Sequence, residues 1–115
     1  MTGLNPSRGE VWLVDLNPTR GHEQAGKRPA LVVSTDIFNH GPAGLVVIAP
    51  MTTKDKKIAL HVRVDPPEGG VRETCFIKSE DVRSISTERL IAHWGRVEPH
   101  TLEFVALRIK SLLEL

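Results

Sequence analysis

Residues 17–29 concentrate the side chains of this chain that could carry out chemistry. The segment contains one histidine, one carboxylate and three cations: His22, Glu23, Arg20, Lys27 and Arg28. Histidine titrates near neutral pH, and a neighbouring carboxylate can orient it or accept a proton itself. A guanidinium stays charged at any relevant pH and binds phosphate oxygens through two parallel hydrogen bonds. The pattern therefore favours proton transfer next to a bound phosphate.

Each of these assignments has a structural alternative. Arg28 could instead pair with Asp15 or Glu23 at the rim of the fold, and His22 could be a solvated loop residue without a role. The residue types alone leave both alternatives open.

The segment lies between two predicted strands. Pro18 and Pro29 fix the backbone near its two ends, while Gly21 and Gly26 permit positive φ between them. We therefore expect a tethered, mobile flap that presents its polar side chains at the ends of the strands.

Strand patterns recur along the chain with turn residues between them. The predicted strands are Val11–Leu16, Ala30–Thr35, Leu45–Ala49, Ile58–Val64, Thr74–Lys78, Val82–Ile85 and Leu90–Val97. Many short strands at close spacing favour a small antiparallel barrel.

The apolar period becomes helical between Leu102 and Leu113, and Pro99 suits a first helical position. One C-terminal amphipathic helix is therefore predicted. Phe104 and Leu107 widen its apolar stripe, which hints at contact with a partner subunit, although core packing is the favoured interpretation.

The composition favours a small, single-domain protein. At 115 residues the chain is expected to form one domain, residues 1–115, around one core. No apolar run reaches the length of a signal peptide or a membrane span, which predicts a cytoplasmic protein. Cys75 is the only cysteine, so an intrachain disulfide and a cysteine-based zinc site are excluded, and its apolar neighbours favour a buried thiol.

The net charge of +1 is unevenly distributed. Seven basic and three acidic residues give the segment 20–63 a charge of +4, whereas the chain from Val64 onward carries −2. This asymmetry favours a face that binds a polyanion, with evenly mixed surface charge as the alternative. Lys54, Lys56 and Lys57 form a basic loop that could follow a phosphate chain or simply be solvated.

The rest of the chain offers a few further candidate groups. Trp12 and Trp94 could stack on unpaired bases, although core filling is favoured for both. Thr52 follows an apolar run and could donate a hydrogen bond to a phosphate oxygen, or could be a threonine that suits a strand by shape alone. No histidine pair has metal-ligand spacing and no phosphate-cradling glycine motif occurs, so no cofactor or metal is expected.

Four stretches resemble the MazF/PemK family of toxin endoribonucleases: Arg8–Leu16, Asn17–Thr19, Gly21–Val33 and Ala49–Thr53. The resemblance implies an SH3-like barrel with a C-terminal helix that forms a homodimer. It also implies a toxin of a type II toxin–antitoxin system that cleaves single-stranded mRNA at a short motif. Cleavage would use the 2′-hydroxyl as the nucleophile without a metal, and an antitoxin with an acidic tail would inhibit it.

The resemblance also implies roles for individual residues. Arg28 and Thr52 match the catalytic pair of the family, and His22 and Glu23 are the candidates for proton transfer because arginine is a poor base. The residues expected to bind RNA are Arg20, Gln24, Lys27, Thr53, Lys54, Lys56, Lys57 and Lys78.

The chain departs from the PemK-like branch at two positions. That branch has an arginine and an aspartate where this chain has Lys78 and Glu80. Lysine lacks the planar fork of arginine, which puts an active site built on that pair in doubt.

Two other function classes share this fold. A relative of CcdB would bind and poison a protein such as DNA gyrase, and a third type of protein would bind nucleic acid without catalysis. The C-terminal residues 111–115 show no recognisable gyrase-contacting end. The combination of Arg28, Thr52 and His22 at loop ends argues against a purely binding module.

Overall fold

The computed structural model describes residues 5–17, 21 and 26–115. Within these residues the chain forms seven strands and two α-helices. The strands are β1 (Glu10–Asp15), β2 (Lys27–Val32), β3 (Leu45–Thr52), β4 (His61–Val64), β5 (Cys75–Lys78), β6 (Arg83–Ser86) and β7 (Leu90–Arg96). The helices are α1 (Asp36–Asn39) and α2 (Pro99–Leu113).

The strands form a bent antiparallel sheet in the order β4-β5-β3-β2-β1-β7, and β6 pairs with β3 beside this path. The predicted fold class, mainly β with a C-terminal helix, is confirmed. Two strand boundaries differ from the prediction at candidate site residues. β2 begins at Lys27 instead of Ala30, and β3 continues to Thr52 instead of ending at Ala49. Both strands therefore include polar residues that strand propensity alone would assign to loops. The four-residue helix α1 was not predicted, since it spans about one turn.

The two faces of the sheet pack into two separate apolar clusters. One cluster, the barrel core, comprises Val11, Leu31, Ala49, Met51, Val62, Val64, Val71, Cys75, Ile77, Val97 and Val105. The second cluster comprises Trp12, Val14, Leu16, Ala30, Val32, Val46, Ile48, Ile85 and Leu90. Successive residues of β2 and β3 alternate between these clusters because side chains of a strand alternate between its faces. The register of these strands therefore decides which residues meet on each face.

Helix α2 closes one side of the barrel by burying Thr101 and Val105. Pro99 occupies its first turn, as predicted. The carboxylate of Glu68 accepts hydrogen bonds from the Glu98 amide and the Thr101 hydroxyl at the helix start. No helix in the described part of the chain has the length and apolar character needed to cross a membrane.

The prediction that Phe104 and Leu107 pack into the core is wrong. Their side chains are 48% and 53% exposed, because α2 turns only the stripe around Val105 toward the barrel. Both residues therefore add to an apolar surface on the outer side of the helix.

The prediction of a buried thiol at Cys75 is confirmed. Cys75 lies in the barrel core, and its Sγ donates to the Glu73 carbonyl oxygen. Burial raises the pKa of this thiol, and the nearby charge of Glu73 adds to the effect. The thiol is therefore a packing element.

Gly70 provides a test of how the turn 68–70 packs on β7. Its φ is +74°, and an added Cβ would lie 2.1 Å from the carbonyl oxygen of Trp94. We expect Gly70→Ala to lower the free energy of unfolding by roughly 3 kcal/mol or more, from left-handed strain plus a backbone overlap. Gly44→Ala is the matched control: its φ is +68° but an added Cβ meets nothing within 4 Å. It should cost only about 1 kcal/mol. Equal losses in urea denaturation would contradict this packing.

Candidate active site

Arg28 is the second residue of β2, where it pairs with Val14 of β1. It is half-buried. β2 and β3 pair through Ala30 with Pro50 and Leu31 with Ala49. The same register continued by two residues brings Arg28 level with Thr52 on the adjacent strand. Neighbouring strands lie about 5 Å apart, so the two side chains can act on one group.

Thr52 is the buried last residue of β3, and not a loop residue beyond it. Its Oγ1 accepts a hydrogen bond of 3.2 Å from the Lys54 amide, which turns the chain into the basic loop. The hydroxyl retains its own hydrogen to donate. Thr52 therefore links the end of the strand to the cations that follow it.

The basic loop is exposed from Thr53 to Lys57. Lys57 is partly neutralised, because its Nζ lies 3.1 Å from Asp55 Oδ2. Hydrogen bonds from the Lys57 amide and side chain, together with nearby charge, lower the pKa of Asp55. Lys54 and Lys56 are exposed on the same loop.

Strand pairing places several polar residues on the face that points away from the barrel core, which we call the second face. Thr52 pairs with Phe76 of β5. Lys78 lies two residues further along β5 on the same face and pairs with His61 of β4. Arg28 shares this face, because it alternates in step with Ala30 and not with Leu31.

Lys78 is buried, with 5% of its surface exposed. Its Nζ lies 3.7 Å from Asp81 Oδ2, and the Arg83 guanidinium lies 3.2 Å from the same oxygen. Buried charges are tolerated only when they are paired in this way. RNA binding by Lys78 stays a prediction, and it would act from inside this charged cluster.

Sequence reasoning missed the partner of Glu80. The His61 Nε2 lies 2.9 Å from Glu80 Oε2, and the two side chains are 3% and 29% exposed. His61 precedes Glu80 by 19 residues and belongs to another strand, so no local pattern signals the contact.

Four predicted site residues lie outside the described residues: Arg20, His22, Glu23 and Gln24. The neck of their loop is described. The Leu16 amide donates to the Gly26 carbonyl at 3.0 Å, and the Gly26 amide donates to Asn17 Oδ1 at 3.1 Å. Arg89, which sequence reasoning missed, donates from Nη1 to the carbonyl oxygens of Asp15 and Asn17. The loop therefore leaves and re-enters the sheet at one closed point.

The two tryptophans differ in how deeply they are buried. Trp12 is buried in the second cluster, donates from Nε1 to Glu10 and stacks on His93, so core filling is confirmed for it. Trp94 is only partly buried against the barrel core, and the Arg72 guanidinium lies 5.5 Å from its ring centre.

Comparison with known proteins decides the family. The family model for the PemK-like, MazF-like toxin of type II toxin–antitoxin systems matches residues 7–113. The chain belongs to this family. The resemblance inferred from the motifs is therefore confirmed.

Individual relatives of the PemK/MazF family agree with this membership. Endoribonuclease MazF9 of Mycobacterium tuberculosis is 36% identical over 113 residues, covering 94% of this chain and 96% of the relative. Endoribonuclease EndoA of Bacillus subtilis is 36% identical over 84 residues, covering 72% of each chain. The crystal structure of MazF from Deinococcus radiodurans superposes with a TM-score of 0.86 at 27% identity, covering 97% of this chain and 99% of the other. A MazE–MazF crystal structure from the same organism gives a TM-score of 0.79 at 28% identity, covering 97% and 98%.

Proposed function

We propose that this PemK/MazF-family toxin is a sequence-specific, metal-independent endoribonuclease that cleaves single-stranded mRNA by attack of the 2′-hydroxyl. The observation that carries the proposal is the placement of Arg28 and Thr52 at the same level of adjacent strands on the second face. The relatives MazF9 and EndoA, which are named endoribonucleases, support it. The toxin acts in the cytoplasm, where mRNA is available.

The reaction breaks one P–O bond and forms another. The 2′-oxygen attacks the adjacent phosphorus and loses its proton, while the bond to the 5′-oxygen breaks and that oxygen gains a proton. The products are a 2′,3′-cyclic phosphate and a 5′-hydroxyl. Arg28 stabilises the charge that develops on the pentavalent phosphorus, and the Thr52 hydroxyl donates to a phosphoryl oxygen. His22 and Glu23, outside the described residues, are the proposed groups for proton transfer.

RNA follows the cations at the ends of these strands. Lys27 and the exposed loop residues Thr53, Lys54 and Lys56 bind phosphates on either side of the scissile bond. Lys57 contributes less, because Asp55 pairs with it. Arg20 and Gln24 contact the strand from the flap. Most of these contacts are electrostatic, so RNA binding weakens as salt rises.

Two protein partners complete the proposal. The toxin forms a homodimer, and the exposed Phe104 and Leu107 of α2 offer apolar surface for it. A cognate antitoxin inhibits the toxin by placing an acidic tail on the cations that hold phosphate. Several structural neighbours are complexes of MazF with MazE, which supports an antitoxin of this kind.

Arg28→Ala tests the proposed phosphate clamp. We expect cleavage to fall by about 10²-fold or more, because one preorganised electrostatic donor contributes at least that much. The free energy of unfolding should change little, since Arg28 is half-buried at a strand end. Arg72→Ala, an exposed arginine of another loop, is the control and should cleave normally. A folded Arg28→Ala variant with unchanged cleavage would remove Arg28 from the mechanism.

Thr52→Val tests the hydroxyl without changing the shape of the strand. We expect kcat to fall by roughly tenfold or more while KM changes little, because the donated hydrogen bond strengthens in the transition state. Thr52→Ser keeps the hydroxyl and should retain most of the rate. If KM rose and kcat stayed constant in Thr52→Val, Thr52 would be a binding contact only.

The deciding experiment concerns the nucleophile. Purified toxin is incubated with a long natural RNA, and the 5′ ends of the products are mapped with and without excess EDTA. Cleavage should persist in EDTA at one short motif.

A substrate analogue tests the nucleophile directly. An oligonucleotide with 2′-deoxyribose at the scissile position should bind and resist cleavage, since its nucleophile is missing. Cleavage of that substrate, or a requirement for magnesium, would show that water is the nucleophile. Tight binding to gyrase without RNA cleavage would favour the alternative that the toxin poisons a protein target.

Sedimentation and competition test the partners together. At micromolar concentration the toxin should sediment as a dimer. An acidic antitoxin peptide should compete with RNA, and both affinities should fall as salt rises from about 50 to about 200 mM, because the same cations hold both ligands. A monomer, or a ternary complex with full RNA affinity, would contradict the proposal.

A further inference from the structure

A buried histidine holds a carboxylate beside the proposed active site. His61 Nε2 lies 2.9 Å from Glu80 Oε2. Carboxylate oxygens accept hydrogen bonds, so His61 Nε2 is assigned as the donor in this contact. None of the proposed catalytic steps uses this pair.

His61 is well fixed in place. Its side chain is 3% exposed, and its strand pairs with β5 so that His61 lies opposite Lys78. Packed side chains of this kind stay in one rotamer. Glu80 lies in the short turn Ser79–Asp81 and its side chain is 29% exposed; its Oε1 is buried, and the imidazole contact fixes the direction of Oε2.

His61 lies on the same face of the sheet as the proposed site. The turn Ser79–Asp81 packs against α2 and against β3, the strand that ends at Thr52. His61 and Lys78 share the second face with Phe76 and Thr52 through consecutive strand pairings. β4 lies two strands from β3, about 10 Å away, which is within the span of one or two nucleotides of an RNA strand.

The charges around Glu80 also bear on what it can bind. Lys78, Asp81 and Arg83 form an ionic cluster next to it. A carboxylate repels phosphate oxygens, so Glu80 is suited to hydrogen-bond donors on RNA, namely base amino groups and ribose hydroxyls.

We propose that His61 is a positioning residue: it orients Glu80 so that the carboxylate accepts a hydrogen bond from a donor group of the bound RNA. The proposal rests on the proposed endoribonuclease activity and extends it to a residue on β4. His61 itself does not touch the RNA.

Two substitutions of similar size separate positioning from packing. In His61→Gln the side-chain amide nitrogen falls near the position of Nε2, so it can still donate to Glu80. In His61→Asn the amide is too short to reach. We expect His61→Gln to cleave within about threefold of the wild type, and His61→Asn to lose about tenfold in kcat or to cleave at a relaxed motif. A loss of kcat at an unchanged motif assigns the donor to a ribose hydroxyl, whereas a relaxed motif assigns it to a base.

A double-mutant cycle with Glu80→Gln tests whether the two residues act as one unit. The double variant His61→Asn/Glu80→Gln should lose no more than the worse single variant. His100→Asn, an exposed histidine on α2, is the control and should match the wild type. If His61→Asn does not fold, Glu80→Gln still tests the proposal, because it must show the same loss by itself.

Three results would overturn the inference: wild-type kcat and motif in His61→Asn or Glu80→Gln, additive losses in the double variant, or equal loss in His61→Gln and His61→Asn. These outcomes are distinct from failure of the proposed function, because wild-type cleavage and its loss in Arg28→Ala are measured separately.

Discussion

The antiparallel pairing of β3 with β2 on one side and β5 on the other is the constraint on which the candidate site depends. β3 is the centre of this part of the sheet, and its last residue is Thr52. Because side chains alternate between faces, a shift of one residue in either pairing would turn Arg28 or Lys78 toward the barrel core. The apolar clusters on both faces oppose such a shift, since it would move their members to the opposite face and turn charged side chains toward the barrel core.

The same constraint explains why the polar groups of the site tolerate partial burial. The Asp81 carboxylate lies near both the Lys78 ammonium and the Arg83 guanidinium and offsets part of their charge, and Glu80 pairs with His61. Such clusters contribute little net stability, because desolvation of the charges offsets their attraction. Their effect is to hold charged side chains in fixed directions on the second face. Fixed direction is what electrostatic catalysis and RNA recognition require.

The neck of the predicted flap is held to the sheet by contacts that are distant in sequence. Arg89 and Asn17 close its neck, so the segment that carries the predicted proton-transfer residues emerges at a defined point beside Arg28. Closing the neck of a loop reduces the number of conformations that its chain can adopt.

The sequence by itself determined the local structure and the family. Alternation and turn residues identified all seven strands, helical spacing identified α2 from Pro99, and the motifs around Gly21–Val33 identified the family, because each of these signals lies within a few consecutive residues. Only the tertiary structure decided which residues meet. Burial of Lys78, the contact of His61 with Glu80 and the hold of Arg89 on Asp15 depend on strand register and on loops that join residues 19 to 74 positions apart. No short-range pattern encodes such contacts, because they follow from the packing of the whole sheet.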